Sequence, residues 1–320
     1  MDDQRQHAYY TEFYKFGFPV FPISAAHGTG ITDLLDQAIA IAAPPALATQ
    51  DTTAPYSVAL VGRPNVGKSS LINTIINDDR VLVSPEAGTT RDAIQVPFTY
   101  QDTAYCLVDT AGMRKRSKQL TALDYYAWVR ASDTIKTADC VVFLLEPEPF
   151  LSDHDKRLFT ALCETARSIL IVINKWDLVP RSDSTRRDFE KRARRMMPFI
   201  QYYPMIVGSA LTGHNHHKIL AAVPALVTRS RARIKTAAMN AFTRGVIATT
   251  PPPSKTGQPL RIFYVTQASS SPPTFIFFVN NKKLLSEPYQ RFLERQLRDN
   301  FDLFGVPIRL FFKNRSKVVI

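Results

Sequence analysis

The stretch 57-SVALVGRPNVGKSSLINTII-76 decides how this chain folds. An apolar run rich in strand formers stops at Gly62, and Gly67-Lys68-Ser69 then opens a second apolar stretch with helical spacing. The eight residues 62–69 fit G-x-x-x-x-G-K-[ST], with a strand before and a helix after, as that pattern requires. Its glycines let backbone N–H groups turn inward around phosphate oxygens, and the helix N-terminus adds its positive dipole end. Gly62, Arg63, Pro64, Asn65, Val66 and Gly67 are the expected wall of the cradle. Lys68 is placed to reach β- and γ-phosphates, and the Ser69 hydroxyl to ligate Mg²⁺. Alone, the pattern also fits an ordinary strand-to-helix turn.

Four further pieces follow in order, each at a loop or strand end. GTTRD (88–92) supplies threonine hydroxyls at Thr89 and Thr90, the latter for Mg²⁺. LVDTAG (107–112) sets Asp109 at the end of an apolar strand, where it can hold Mg²⁺ through water. Thr110, Ala111, Gly112 and Met113 continue that loop, with the Gly112 N–H aimed at the γ-phosphate. LIVINKWD (170–177) ends another apolar strand in Asn174-Lys175-Trp176-Asp177. A carboxylate at Asp177 accepts two parallel N–H bonds from guanine N1 and N2, a donor pair adenine lacks. Asn174 is expected to support the base pocket and Lys175 to lie along the ring, while Ser209 and Ala210 of VGSAL (207–211) brace the base. Together these pieces describe a guanine-nucleotide site for GTP or GDP.

Strands are expected at 57–61, 94–100, 104–108, 139–145, 169–173 and 204–207, with helices near 67–77, 122–136, 153–166, 184–196 and 214–227. That alternation predicts an α/β fold with a mostly parallel sheet covered by helices on both faces. The Pro/Ala/Thr-rich 43–55 reads as a linker, and 56–228 as one complete domain. A helix over 229–248, then strand, strand, helix and strand, make 229–320 a small α+β module. It holds 16 Lys and Arg against 4 Asp and Glu, which is the whole +12 net charge of the 320-residue chain. A basic module on a neutral body suggests an electrostatic footprint for a polyanion, most simply RNA, with a merely soluble basic surface as the alternative. No apolar run reaches the roughly 18 residues of a membrane helix, so no membrane is expected. Cys106, Cys140 and Cys163 are scattered in apolar segments and read as free thiols of a cytoplasmic protein.

The carriers GRPNVGKSSLIN, GTTRD, DTAGMRKRSK, NKWDL, PPTFIFFVN, YQRFLERQLRDNF and GVPIRLFF resemble the Der (EngA) family over essentially the whole chain. That family joins two tandem P-loop GTP-binding domains to a C-terminal KH-like domain. The resemblance implies a GTPase acting in late assembly of the large (50S) ribosomal subunit through its rRNA, here expected as a monomer. It also accounts for a repeat: FPVFPISAAHGTGITDLLDQAIAIA (18–42) parallels YPMIVGSALTGHNHHKILAAVPAL (203–226). Residues 1–42 are therefore expected to be the tail of a first GTP-binding domain whose phosphate loop is absent, and not to bind GTP. A GTP-regulated RNA-binding scaffold, or a related GTPase of tRNA modification or small-subunit assembly, is the alternative function.

The residues assigned to catalysis are Lys68, Ser69, Thr89, Thr90, Gly112 and Asn65. Met113 stands where Ras-like enzymes carry the glutamine that orients water. The resemblance implies a K⁺ ion coordinated by Asn65, adding positive charge beside the phosphates. MRKRSK (113–118) is either a nucleotide-dependent basic element or a solvated loop, and RRDFEKRARR (186–195) reads as an exposed, salt-bridged helix face. No G-x-x-G occurs in 229–320, so KH-type clamping of a nucleic-acid backbone is not expected. Phe275, Phe277 and Phe278 are expected in the core, and His214, His216 and His217 in a surface loop.

Overall fold

The apolar runs of the first half become the inner strands of one sheet. The computed structural model describes residues 54–83, 95–108, 132–180, 183–253 and 258–315, with isolated positions at 21, 23, 24, 30, 34, 121, 125 and 128–130. The expected 1–42 remnant and the linker fall almost wholly outside the described residues. So do Thr89, Thr90, residues 109–113 and the basic run 113–118.

The sheet comprises β1 (Tyr56–Gly62), β2 (Val81–Val83), β3 (Val96–Tyr100), β4 (Thr103–Leu107), β5 (Cys140–Leu145), β6 (Ile169–Ile173) and β7 (Met205–Val207). Their order is β2-β3-β4-β1-β5-β6-β7. Pairs β1–β4, β1–β5, β5–β6 and β6–β7 are parallel, while β2–β3 and β3–β4 are antiparallel. Every residue of β5 and β6 is buried, the continuous apolar run of a central parallel strand covered on both faces. One face packs Phe143 and Ile171 against α3 (Asp153–Thr165) and α4 (Asp183–Met196). The other packs Leu60, Val142 and Val172 against α1 (Lys68–Ile76) and α5 (His216–Arg231).

Two expected helices need correction, and one strand was missed. The single helix over 122–136 is interrupted: Ser132 is extended (φ −63°, ψ 115°) and caps a separate short helix, α2 (Asp133–Thr137). The helix over 229–248 is likewise divided, since α5 ends at Arg231 and α6 (Thr236–Thr249) starts after Lys235, also extended. Strand β2 was not foreseen, because three residues on an edge carry too little pattern to be read.

The C-terminal unit places α6 and α7 (Glu287–Asn300) against a three-stranded sheet of order β10-β9-β8: β8 (Ile262–Ser270), β9 (Pro273–Val279) and β10 (Arg309–Asn314). Met239, Val265, Phe275, Phe277, Leu293 and Leu297 fill its core. Alternation along β9 leaves Phe278 on the opposite face, so it is not the core residue expected.

This unit is fastened to the larger sheet through its backbone. Gly305 donates its N–H to Tyr202 O at 2.7 Å and accepts from Ile169 N at 2.9 Å, at the start of β6. Its φ of +81° and a hypothetical Cβ only 2.2 Å from Leu226 Cδ2 explain the glycine. Arg298 lies 4.8 Å over the Tyr202 ring and donates to Leu303 O and Val306 O. Arg229–Asp302 (2.8 Å) adds an ion pair across the same seam, and Arg231–Asp139 (2.7 Å) ties the end of α5 to the start of β5 beside it.

Candidate guanine-nucleotide site

The loop between β1 and α1 runs over the C-terminal end of the sheet, where ligands of open α/β sheets bind. Asn65 (φ 63°) and Gly67 (φ 98°) both adopt left-handed backbone, which bends the loop tightly enough to form a concavity. Gly67 serves as the N-cap of α1. A Cβ on Gly67 would stand 2.1 Å from Asn174 Nδ2, and one on Gly62 would stand 2.7 Å from Leu144 O. Both glycines therefore permit close approach, not only a turn. Lys68 is buried, its ammonium donating to Gly62 O (2.8 Å) and Arg63 O (2.6 Å) across the mouth of the loop. Val66 is buried beneath it, while Pro64 and Asn65 are exposed. Ser69, half-buried in the first turn of α1, offers a hard oxygen of the kind Mg²⁺ prefers.

Asn174 joins the loop 62–69 to the loops at 174–177 and 208–211. Its Nδ2 donates to Val66 O and its Oδ1 accepts from Ala210 N, both at 2.8 Å, with the side chain 2% exposed. One amide thus uses both ends to clamp three loops that are far apart in sequence. Lys175 has left-handed backbone (φ 58°), after which a 3₁₀ turn (Trp176–Leu178) presents Asp177 to solvent. Trp176 donates its backbone N–H to Gly208 O, and its ring packs edge-on against Phe189 at 5.1 Å. Ser209 is buried, and its Oγ accepts from Thr212 N at 3.2 Å, closing the turn that carries Ala210.

Two residues not anticipated from sequence organise this end of the sheet. Glu146, just past β5, accepts from both Arg63 (3.4 Å) and Lys175. Asp155, fully buried, holds the Arg63 Nε at 2.9 Å while closing a capping box with Ser152 at the start of α3. Arg63 is thereby pulled sideways and donates to Pro149 O as well, so its guanidinium belongs to the wall of the site. A lone Glu after a strand carries no motif, and an S-x-x-D box signals only a helix start. Burial also pushes the His154 imidazole below its ordinary range; Asp155 opposes this, and the charges of Arg63 and Lys68 add to it. His154 is therefore neutral near pH 7.

The three histidines are not one surface loop. His216 is buried at the start of α5, with Nδ1 on Gly213 O (2.5 Å) and Nε2 on the Asp78 carboxylate. No group of three or more His, Cys, Asp or Glu poised to hold a metal occurs among the described residues.

GTPase Der of Alkaliphilus oremlandii is 39% identical over 318 residues, covering 99% of this chain and 72% of that protein. The chain belongs to the Der (EngA) family of GTPases. GTPase Der of Moorella thermoacetica is 40% identical over 304 residues, covering 94% and 69% respectively. A family model described as a 50S ribosome-binding GTPase matches residues 57–175, and one described as the C-terminal KH-domain-like part of EngA bacterial GTPases matches 233–313. As a Der-family GTPase, the chain carries a P-loop α/β domain and a KH-like unit and hydrolyses GTP. No described helix is long and apolar enough to cross a membrane.

Proposed function

We propose that this GTPase acts in late assembly of the 50S ribosomal subunit, its nucleotide state governing how the basic KH-like unit docks on rRNA. The supporting observation is the seam at Gly305: the strongly basic unit is hydrogen-bonded to the same sheet whose opposite end carries the phosphate loop. The 50S ribosome-binding description of the matching family model points the same way. The chain acts as a cytoplasmic monomer.

In this reading the loop 62–69 wraps the phosphates and Lys68 exchanges its two carbonyl partners for phosphate oxygens. Asn174 keeps loop and base pocket in register, Asp177 accepts from guanine N1 and N2, and Ser209 and Ala210 brace the base. Ser69, Thr90 and Asp109 hold Mg²⁺, which supplies charge neutralisation to the phosphates. The Gly112 N–H reports the γ-phosphate. Met113 cannot orient water by hydrogen bonding, so Asn65 holds a K⁺ ion in compensation. Hydrolysis is expected to be faster in K⁺ than in Na⁺, with the difference lost in Asn65→Ala; equal rates in both salts count against this role.

Sedimentation with ribosomal subunits tests the main reading. The chain is expected to pellet with 50S particles in a non-hydrolysable GTP analogue and to release in GDP, more weakly as salt rises. Equal pelleting in every nucleotide state, or none, would refute it.

A further inference from the structure

The KH-like unit buries one face of its three-stranded sheet under α6 and α7, and among the described residues no helix covers the other. That second face is not polar. Register places Tyr264 of β8 opposite Phe278 of β9, and Phe278 opposite Lys313 of β10. Tyr264 and Phe278 lie nearly parallel, ring centroids 4.3 Å apart at 14°. One step along, Phe311 of β10 pairs with Ile276 and is 51% exposed. At the other end Phe263, 45% exposed beside a β-bulge, lies 5.1 Å beneath the Arg315 guanidinium. Flat rings alternate with cations over a surface that twisted β-structure holds rigid.

Such a face has a specific chemical complement. Successive bases of a single strand stack on aromatic rings whatever their identity, and Lys and Arg beside the rings meet the phosphates between them. A duplex hides its base faces and offers phosphates, 2′-hydroxyls and base edges but no ring face to stack on. An apolar protein partner would find its patch broken by Lys313 and Arg315, in a unit whose charge excess favours a polyanion. We infer that the open face of the β8–β9–β10 sheet is a stacking platform for single-stranded RNA, carried by Tyr264, Phe278 and Phe311 with Lys313 and Arg315. The platform supplies what the missing G-x-x-G loop cannot, on a different surface of the domain. It rests on the rRNA-docking reading above for its biological target, and not for its chemistry.

The test uses the full chain and a fluorescein-labelled twelve-residue oligouridine, read by anisotropy, with an RNA duplex of equal length alongside. Loss of one stacking ring lowers affinity about tenfold or more. Phe311→Ala is therefore expected to weaken oligouridine binding at least tenfold and duplex binding little, whereas Phe311→Trp restores the single-strand affinity. Lys313→Ala is expected to flatten the salt dependence by about one phosphate contact. Phe311 lies in the C-terminal sheet, a different unit from the described residues of the nucleotide site, so GTP hydrolysis is expected to be unchanged, and an unchanged melting profile verifies that each variant is folded.

Wild-type oligouridine affinity in both Phe311→Ala and Lys313→Ala overturns the platform. So does a wild-type chain that is dimeric by light scattering and turns monomeric in Phe311→Ala with RNA binding intact, since a second copy then covers the face. The 50S pelleting assay separates the two ideas. Variants that pellet normally while wild type requires the GTP analogue leave the ribosomal reading standing and count against the platform. A wild-type chain that loses oligouridine with Phe311→Ala yet never pellets with 50S particles upholds the platform and removes the ribosomal reading.

Discussion

The two ends of the seven-stranded sheet are built on opposite principles. At the C-terminal ends of β1 and β6, the chain enters loops that need left-handed residues (Asn65, Gly67, Lys175) and present exposed groups such as Asp177. At the N-terminal ends, polar groups are saturated. Asp139 accepts from Ser57 N and Oγ and from Arg231, and its carbonyl accepts from Ser168 Oγ at 2.7 Å. Gly305 then adds its backbone to the start of β6. One end keeps its hydrogen-bonding capacity for a ligand, whereas the other spends it on holding a second unit. Variants at the first should change kinetics with little change in melting, and variants at the second should do the reverse.

Lys68→Ala should give the sharpest separation. Removing a preorganised cation from the phosphate loop is expected to lower GTP turnover by about 10²–10³-fold, with the melting temperature changed far less than by the seam variants. A comparable loss of stability would mean that the loop also holds the fold. Asp177→Ala comes next. Losing a charged acceptor for two guanine donors is expected to weaken GTP binding by about 10–100-fold, measurable by titration calorimetry, with ATP affinity unmoved. A uniform loss for both nucleotides would break the assignment of Asp177 to the base.

At the anchoring end the readout inverts. Gly305→Ala forces a Cβ against Leu226 and requires φ +81° of an alanine, which should cost about 1–3 kcal/mol in denaturant unfolding. The KM for GTP should not change; a raised KM would show that strain at the seam reaches the nucleotide.

The smallest effect concerns acid. Asp78 lies beyond the end of α1, and its side-chain hydrogen bonds to Arg80, with lesser help from His216, hold its carboxyl well below the usual range. A depressed carboxylate contributes stability above its unfolded pKa near 4, lost as pH falls toward its folded value. Asp78→Asn should therefore melt lower than wild type at pH 7, with the gap closing toward pH 2. A gap independent of pH would mean the carboxylate charge is not what matters.

The loop shapes at the C-terminal end of the sheet were legible because loop chemistry is local. A phosphate cradle needs Gly at fixed offsets, and a guanine contact needs Asn-Lys-x-Asp after an apolar strand, so 62–69 and 174–177 can be read without knowing what surrounds them. Central strands such as β6 were legible because full burial writes an unbroken apolar run. The breaks at Ser132 and at 232–235 were not, since neither carries Gly or Pro and each depends on what the next segment packs against. Glu146 and Asp155 were invisible as site residues for a related reason: a single acid means nothing until folding sets it beside Arg63.

Phe278 marks the same boundary within one strand. The sequence reading puts Phe277 and Phe278 together in the core, whereas the strand's period-two alternation turns Phe278 to the opposite face. The sequence by itself determined the identity and order of the pieces, because backbone geometry and ligand chemistry act over a few residues. The tertiary structure alone decided which distant groups meet, such as the Asn174 amide between two loops or Gly305 between two units. Those meetings are long-range, and their stability comes from burial that no short window of sequence contains.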